Sequence, residues 1–527
     1  MRRSLLFLLI TLPLLTQPAL ASRCEDLAKL RLPNGVVMIA ESVTGGKLIP
    51  EGHGPILGLP ALCRVVAALH PAEDSDIRVE LWMPASGWNG RMEGTGNSGL
   101  AGHIDYYSLI NGIHGGYAVV NTDMGMAVPP GKDASVFIDR PERWADWGYR
   151  ATHEMTVFAK QAVKAYYGRD AKRSYFVGCS TGGEQALMEA QRFPDDYDGI
   201  VGGAPALNRT GVHVSILWNF AALRKDPESY VPPAKIALLS TAVLNACDVL
   251  DGVKDGLITD PRGCRFDPAK LQCKADDSDN CLTAAQVATV KALYGGPVDP
   301  RTGKQLYPGL PLGSETGWLA RLAPKPDPKA HAPFVPVFKW ALGDKWDWRT
   351  FDFDHDVDTL NSRLAKSLNA TDPDLDIFRA HGHKLLLYHG WADPLVAPGE
   401  TVHYYDTVQA RDAELNAGTY SGRDAKPLDD SLRLFMVPGM AHCGGGPGPS
   451  GFYPLNAVIS WVEDGAAPDS LVVSKPQPAP SAPQKRLLCP YPRVAQYKGS
   501  GNIDDPASYA CGVPYFTNTT PQVAATP

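Results

Sequence analysis

Residues 175–183 read Tyr-Phe-Val-Gly-Cys-Ser-Thr-Gly-Gly. An apolar run suited to a buried strand passes directly into G-x-S-x-G (Gly178-Cys179-Ser180-Thr181-Gly182), and a helical pattern over 182–193 follows. Few folds accept this succession. A serine at a sharp strand-to-helix turn stands clear of the sheet, and small residues beside it let the backbone turn. The helix start aims free amides and a partial positive charge at the same point. A chance glycine-rich turn is the other reading, and it leaves the flanking strand and helix without a purpose.

The remaining chain supplies a sheet for such a turn. Apolar runs at 78–83, 117–121, 174–177, 199–202, 384–389 and 432–437 alternate with helical patterns, notably 148–167 and 182–193. That order predicts an α/β fold with a mostly parallel sheet. The alternation fails over 208–380, a stretch with four cysteines, many prolines and scattered tryptophans. It is too long for a loop, so it is expected to be a lid domain inserted in the core. The expected division is 1–21 leader, 22–207 first part of the core, 208–380 lid, and 381–527 second part of the core with a tail. The proline-rich piece 475–484 is expected to be extended.

The N-terminus carries Arg2 and Arg3, an apolar run over 5–15, and Ala19-Leu20-Ala21. This reads as a secretory signal peptide and a secreted or periplasmic protein; a membrane anchor is the alternative, against which Pro13 and Pro18 and the shortness of the run speak. No later stretch has the roughly 18 apolar residues of a membrane span. A net charge of −7 leaves no basic footprint for nucleic acid. Asn208, Asn369 and Asn518 begin N-x-[ST] sequons. In an oxidising compartment the ten cysteines favour disulfides, and no C-x-x-C pair suggests a zinc ribbon. Sequence alone does not fix connectivity. Local pairing is the simplest arrangement: Cys24–Cys63, Cys247–Cys264, Cys273–Cys281 and Cys489–Cys511. It leaves Cys179 and Cys443 for each other, or as two buried thiols.

An elbow serine needs an acid and then a base downstream. Asp393 lies after the strand pattern ending at His389, and His442 after the one ending at Val437. His442 would take the proton of Ser180, and Asp393 would fix the imidazole tautomer. His389 and His403 compete for the base; His389 is read as the end of a buried strand with its ring satisfied by backbone. Cys179 precedes Ser180 and Cys443 follows His442, so a bond between them would staple nucleophile loop to base loop, at about 4 to 5 kcal/mol on the chain-entropy argument. Amides for an oxyanion are expected at Thr181 and in the loop 94–102, near Gly99, with Asn97 and Ser98 as alternatives.

A separate acidic loop runs from Cys247 to Leu257. Asp248, Asp251 and Asp255, with the carbonyls of Val253 and Leu257, offer hard oxygens of the kind calcium takes, although the spacing is not an EF-hand. A solvated acidic turn is the alternative. Lying inside the insertion, such a cage is expected to be structural and remote from Ser180.

Taken together, G-C-S-T-G-G at 178–183, H-G-W-A-D-P at 389–394 and G-M-A-H-C at 439–443 resemble the tannase and feruloyl esterase family, over roughly 24–511. The resemblance implies an α/β-hydrolase core with a large lid, a Ser180–His442–Asp393 triad, a linking Cys179–Cys443 disulfide, and structural calcium (Ca2+) at Asp248, Asp251, Val253, Asp255 and Leu257. The local cysteine pairs agree with the family pattern. It also implies esters of aromatic acids as substrates: gallate, ferulate and other hydroxycinnamates, or a terephthalate monoester. A terephthalate member is expected to hold the free carboxylate with a lid arginine. Nothing in the sequence places Arg321 there, and the segment around Phe334 is poor in arginine. The expectation is therefore a secreted serine carboxylesterase for hydroxycinnamic or gallic esters, needing no organic cofactor and taking a small aromatic ester as its partner. A terephthalate-monoester hydrolase, a lipase or peptidase, and a non-catalytic calcium-dependent binding module are the alternatives. Trp318, Trp340 and Trp346 are candidates for aromatic pocket walls or for plain core.

Overall fold

The computed structural model describes residues 23–128, 134–321, 335–414, 428–476 and 483–514. The leader, Asn518, Phe334 and most of 475–484 lie outside these residues.

Nine strands form the central sheet: β1 (Gly35–Val43), β2 (Leu62–Leu69), β3 (Ile77–Pro84), β4 (Arg91–Thr95), β5 (Ala118–Thr122), β6 (Arg173–Cys179), β7 (Gly199–Gly203), β8 (Lys384–Gly390) and β9 (Leu432–Val437). Their order is β1-β2-β3-β5-β4-β6-β7-β8-β9. Pairing is antiparallel from β1 to β5 and parallel from β5 to β9. The parallel half explains the nearly unbroken apolar runs, since helices cover both of its faces. Along each strand, side chains alternate between two cores. Phe176, Ile200, Leu385, Leu387 and Leu434 face one, shared with Met155, Phe158 and Ala162 of helix α1 (Ala151–Tyr167). Tyr175, Val201, Leu386 and Phe435 face the other, closed by Val458 of a late helix (Pro454–Asp464).

The sequence reading finds six of these strands and misses β1, β2 and β4. In β4 only Met92 is a large apolar residue, and Gly94 lacks a side chain because Tyr197 occupies its place: a Cβ there would stand 2.2 Å from the Tyr197 hydroxyl.

Between β7 and β8 the described residues form helices and short turns. Leu239, Val243, Val290, Leu293 and Trp318 gather into a core of their own, whereas Phe338, Trp340, Leu360 and Leu364 join the main one. Trp318 and Trp340 are therefore packing residues. The Trp318 ring donates to Ser314 Oγ at 3.0 Å, and the Trp340 ring meets Trp147 edge-on at 5.5 Å. Trp346 stacks on Phe338 at 4.8 Å.

All ten cysteines are paired: Cys24–Cys63, Cys179–Cys443, Cys247–Cys264, Cys273–Cys281 and Cys489–Cys511. After the second core half, the strands Leu471–Lys475 and Gln484–Leu488 pair antiparallel around the segment outside the described residues.

Candidate active site

Strand β6 ends at Cys179, and helix α2 (Thr181–Arg192) begins one residue beyond Ser180. Ser180 has φ 65° and ψ −115°, a backbone state L-residues rarely adopt. Its surroundings hold it there. The Ser180 amide donates to Gly203 O at 2.9 Å, and its carbonyl accepts from Glu184 and Ala206 amides. The crossing is so tight that only glycine fits. A Cβ at Gly96 would lie 2.4 Å from Gly182 Cα and 2.9 Å from Gly178 Cα.

Three loops meet at this turn. His442, after β9, places Nε2 2.8 Å from Ser180 Oγ and Nδ1 2.7 Å from Asp393 Oδ2. Asp393, after β8, is fully buried. Its Oδ1 accepts the Leu395 and Val396 amides at 2.8 and 3.0 Å. Burial pushes the Asp393 carboxyl up, but the facing His442 charge and the hydrogen bonds from His389 and His442 outweigh it and hold it well below the usual carboxylate range. The imidazole tautomer follows: Nδ1–H donates to Asp393, and Nε2 accepts the Ser180 hydroxyl proton. The Cys179–Cys443 bridge closes the same junction, with its Cα atoms 5.9 Å apart, and Cys443 itself has φ 61°.

His389 sits differently from the sequence reading. Its ring is fully buried at the end of β8, but backbone supplies only one of its partners. Nε2 donates to Asp393 Oδ2 at 3.0 Å as well as to Val396 O at 3.0 Å, while the Thr401 hydroxyl donates to Nδ1 at 2.8 Å. Both Nε2 partners are acceptors only, which sets the proton on Nε2. Two imidazoles thus grip one carboxylate oxygen. The i, i+4 spacing of His389 and Asp393 is the signal that sequence reasoning passed over. His403 is exposed on the helix Pro398–Glu414.

The loop 94–102 lies against the start of α2. The Asn97 amide donates to Gln185 Oε1 at 2.8 Å, which removes it as an oxyanion donor. Gly99 is fixed through its carbonyl, which accepts from Thr181 Oγ1 at 2.7 Å. Among the described residues the amides of Ser98, Gly99, Leu100 and Thr181 make no hydrogen bond. Thr181 Oγ1 also accepts from Arg209 Nη2 at 3.0 Å, and Arg209 is ion-paired with buried Glu184. This chain from Glu184 to Gly99 ties the two amide-bearing segments together, and the sequence reading missed it.

The acidic loop departs from expectation in its place. Leu257 packs under the base loop: a Cβ on Gly439 would stand 2.8 Å from Leu257 Cδ2. A cavity of about 100 Å³ is lined by Gly256, Leu257, Trp391, Ala392 and Gly439. The loop is thus a direct neighbour of the segments carrying Asp393 and His442, because the insertion folds back on the core. Asp248 accepts the Asp255 and Gly256 amides at 3.0 and 3.1 Å. Asp251 accepts the Val253 amide at 2.9 Å and the Thr259 hydroxyl. Asp255 accepts the Leu257 amide at 3.0 Å and Arg486 Nη2 at 2.6 Å. Burial, then the charges of Asp255 and Asp248, raise the Asp251 carboxyl. Asp248 Oδ1 is taken by two amides, but its Oδ2 and both oxygens of Asp251 and Asp255 each accept one donor and keep a lone pair, and an all-oxygen donor set of this kind fits calcium.

A family description, tannase and feruloyl esterase, matches residues 63–512. The chain belongs to the tannase and feruloyl esterase family. It is a carboxylic ester hydrolase with an α/β-hydrolase fold. An uncharacterized esterase of Xanthomonas campestris is 37% identical, with 94% of this chain and 92% of that one covered. The mono(2-hydroxyethyl) terephthalate hydrolase of Piscinibacter sakaiensis is 34% identical, covering 86% and 85%. The crystal structure of feruloyl esterase B from Aspergillus oryzae superposes with a TM-score of 0.82 at 30% identity, covering 93% and 99%.

Proposed function

We propose that this family member is a secreted or periplasmic serine esterase acting on esters of hydroxycinnamic, gallic or related aromatic acids. The observation that carries the reading is His442 standing between Ser180 Oγ and Asp393 Oδ2 at hydrogen-bond distance on both sides. Ser180 Oγ attacks the ester carbonyl carbon as His442 Nε2 takes its proton, and the carbonyl oxygen becomes an oxyanion. The Thr181 amide and one amide of 98–100, with Gly99 favoured, face that charge. The intermediate collapses, and the alcohol leaves with the proton from His442. Water then attacks the acyl-enzyme, His442 removes its proton, and the aromatic acid departs while Ser180 regains its hydrogen. Asp393 stays ionised throughout and holds the imidazolium. A fluorophosphonate should label the wild type at Ser180, and Ser180→Ala should abolish release of ferulate from methyl ferulate and of gallate from methyl gallate. An unlabelled wild type, or a fully active Ser180→Ala, would end the reading.

The likeness to the Piscinibacter enzyme favours a second substrate, a terephthalate monoester. Methyl ferulate, methyl gallate, chlorogenate and such a monoester assayed side by side decide between them by kcat/KM.

Asp248, Asp251 and Asp255, with the carbonyls of Val253 and Leu257, would hold a structural calcium ion that neutralises the carboxylates. Dialysis against a chelator should release one calcium per chain by elemental analysis and lower the melting temperature, with calcium restoring it. Asp251→Asn should lose the calcium-dependent part. Export is supported by the leader pattern and by five disulfides. An N-terminus starting near Ser22 in protein recovered outside the cytoplasm is the expected result.

A further inference from the structure

At the amino-terminal edge of the sheet, opposite the Ser180 turn, two loops approach each other. One precedes β7 and carries Asp195. The other leads from the insertion into β8 and carries His381 and His383. Because β7 and β8 are paired neighbours, with Lys384 opposite Gly199, their leading loops lie side by side. Ligand atoms of Asp195, His381 and His383 lie within 4.8 Å of one another. His381 Nδ1 and Asp195 Oδ1 are 2.7 Å apart, and the two imidazole rings stand 5.7 Å apart at 89°.

The backbone under this group is pinned. His381 and His383 amides donate to Ile377 O and Phe378 O at 3.1 and 3.2 Å, and Gly382 between them turns with φ 82°. The His383 ring packs on Phe378 at 5.4 Å. On the other loop, Lys160 Nζ donates to Asp195 O at 3.1 Å, which leaves the Asp195 carboxylate for His381. We infer that Asp195, His381 and His383 form a site for one divalent cation of the zinc class, with water completing the shell.

The donor set argues for that class. Two imidazoles and a carboxylate suit zinc and its transition-metal neighbours, whereas calcium and magnesium take oxygen. Metal–ligand bonds of about 2.0 to 2.1 Å require the donor atoms to be roughly 3.3 Å apart. From separations within 4.8 Å, the His381 and His383 side chains have at most about 1.5 Å to close, and the ion takes the place of the hydrogen between His381 and Asp195. The His381 side chain is 43% exposed and His383 is half-buried. Bound there, the ion would fasten the exit of the long insertion to the core at the sheet edge remote from the reaction. This site is independent of the ester chemistry proposed above.

The test uses the full chain, freed of metal and then kept in excess calcium so that the acidic loop is saturated. Zinc chloride is titrated calorimetrically, and cobalt chloride is followed by visible absorption. One equivalent of zinc should bind the wild type, weakened at least tenfold in His381→Ala and in His383→Ala. Zinc should raise the wild-type melting temperature and leave that of the double variant unmoved. Cobalt should give d–d absorption of a nitrogen–oxygen site in the wild type, a readout that needs no variant. Identical zinc titrations of the wild type and the double variant, or a wild type with no such cobalt band, would overturn the assignment.

Discussion

Asp393 has more partners than the proposed triad alone would give it. Four donors converge on its two oxygens: two backbone amides, His442 and His389. Buried where no water can replace a lost partner, each bond is worth more than at the surface. His389→Gln leaves a side chain that cannot reproduce the imidazole's two-sided fit between Thr401 and Asp393. Loss of a hydrogen bond to a buried charge is worth about 1.5 to 3 kcal/mol, so kcat should fall about 10- to 100-fold. KM should stay nearly unchanged, because the ring does not touch substrate; steady-state kinetics on a single ester checks both. Thr401→Val should show a smaller fall in the same direction. These three residues also show where sequence reading stops. Ser180, Asp393 and His442 were legible because each follows an apolar strand run in a fixed chain order. The His389 contact was hidden because its residue type and spacing suit a buried strand end equally well.

Among the elements, β4 is the one whose chemistry is least expected. Glu93 lies within the sheet, and burial alone pushes its carboxyl up to about 7 from an ordinary value of 4.5. The folded state therefore holds the Glu93 proton more tightly than the unfolded chain. Its contribution to stability is full below about pH 4.5 and is lost as pH rises towards 7. Glu93→Gln should stabilise the protein above pH 7 by roughly 2 to 3 kcal/mol and leave it little changed near pH 4. Denaturant melts at the two pH values measure the difference. A charged residue beside a glycine is also why this strand escaped the apolar-run reading, although β6 and β8, with continuous aliphatic and aromatic residues, did not. The Leu257 contact with the base loop escaped for another reason: loop spacing carries no information about which distant segment a loop packs against.

Over the whole molecule, the Cys179–Cys443 bridge spans 264 residues, the widest closure among the five. Replacing both cysteines with alanine should cost about 5 kcal/mol of stability on the chain-entropy argument. The variant should remain folded, held by four other bridges and two sheet-wide cores, but turn over ester much more slowly as the Ser180 and His442 loops loosen. Circular dichroism with single-turnover kinetics separates the two effects, and unchanged kinetics would show that the bridge serves stability alone. The C-terminal segment contributes to the same end of the molecule, since Arg486 pairs with Asp255 and Arg262 donates to Tyr491. The sequence division at 208 and 380 marks where helices replace the sheet, but it gives no hint that half of the inserted aromatic residues would complete the main core.

The contact of Gly96, Gly178 and Gly182 leaves the floor beneath the nucleophile without a single side chain to vary. Diversification of such an enzyme towards new acids has no foothold there. It has to come from segments outside this glycine contact, and a change in the first inserted helix must spare Arg209, which holds Thr181 and Glu184 of the turn.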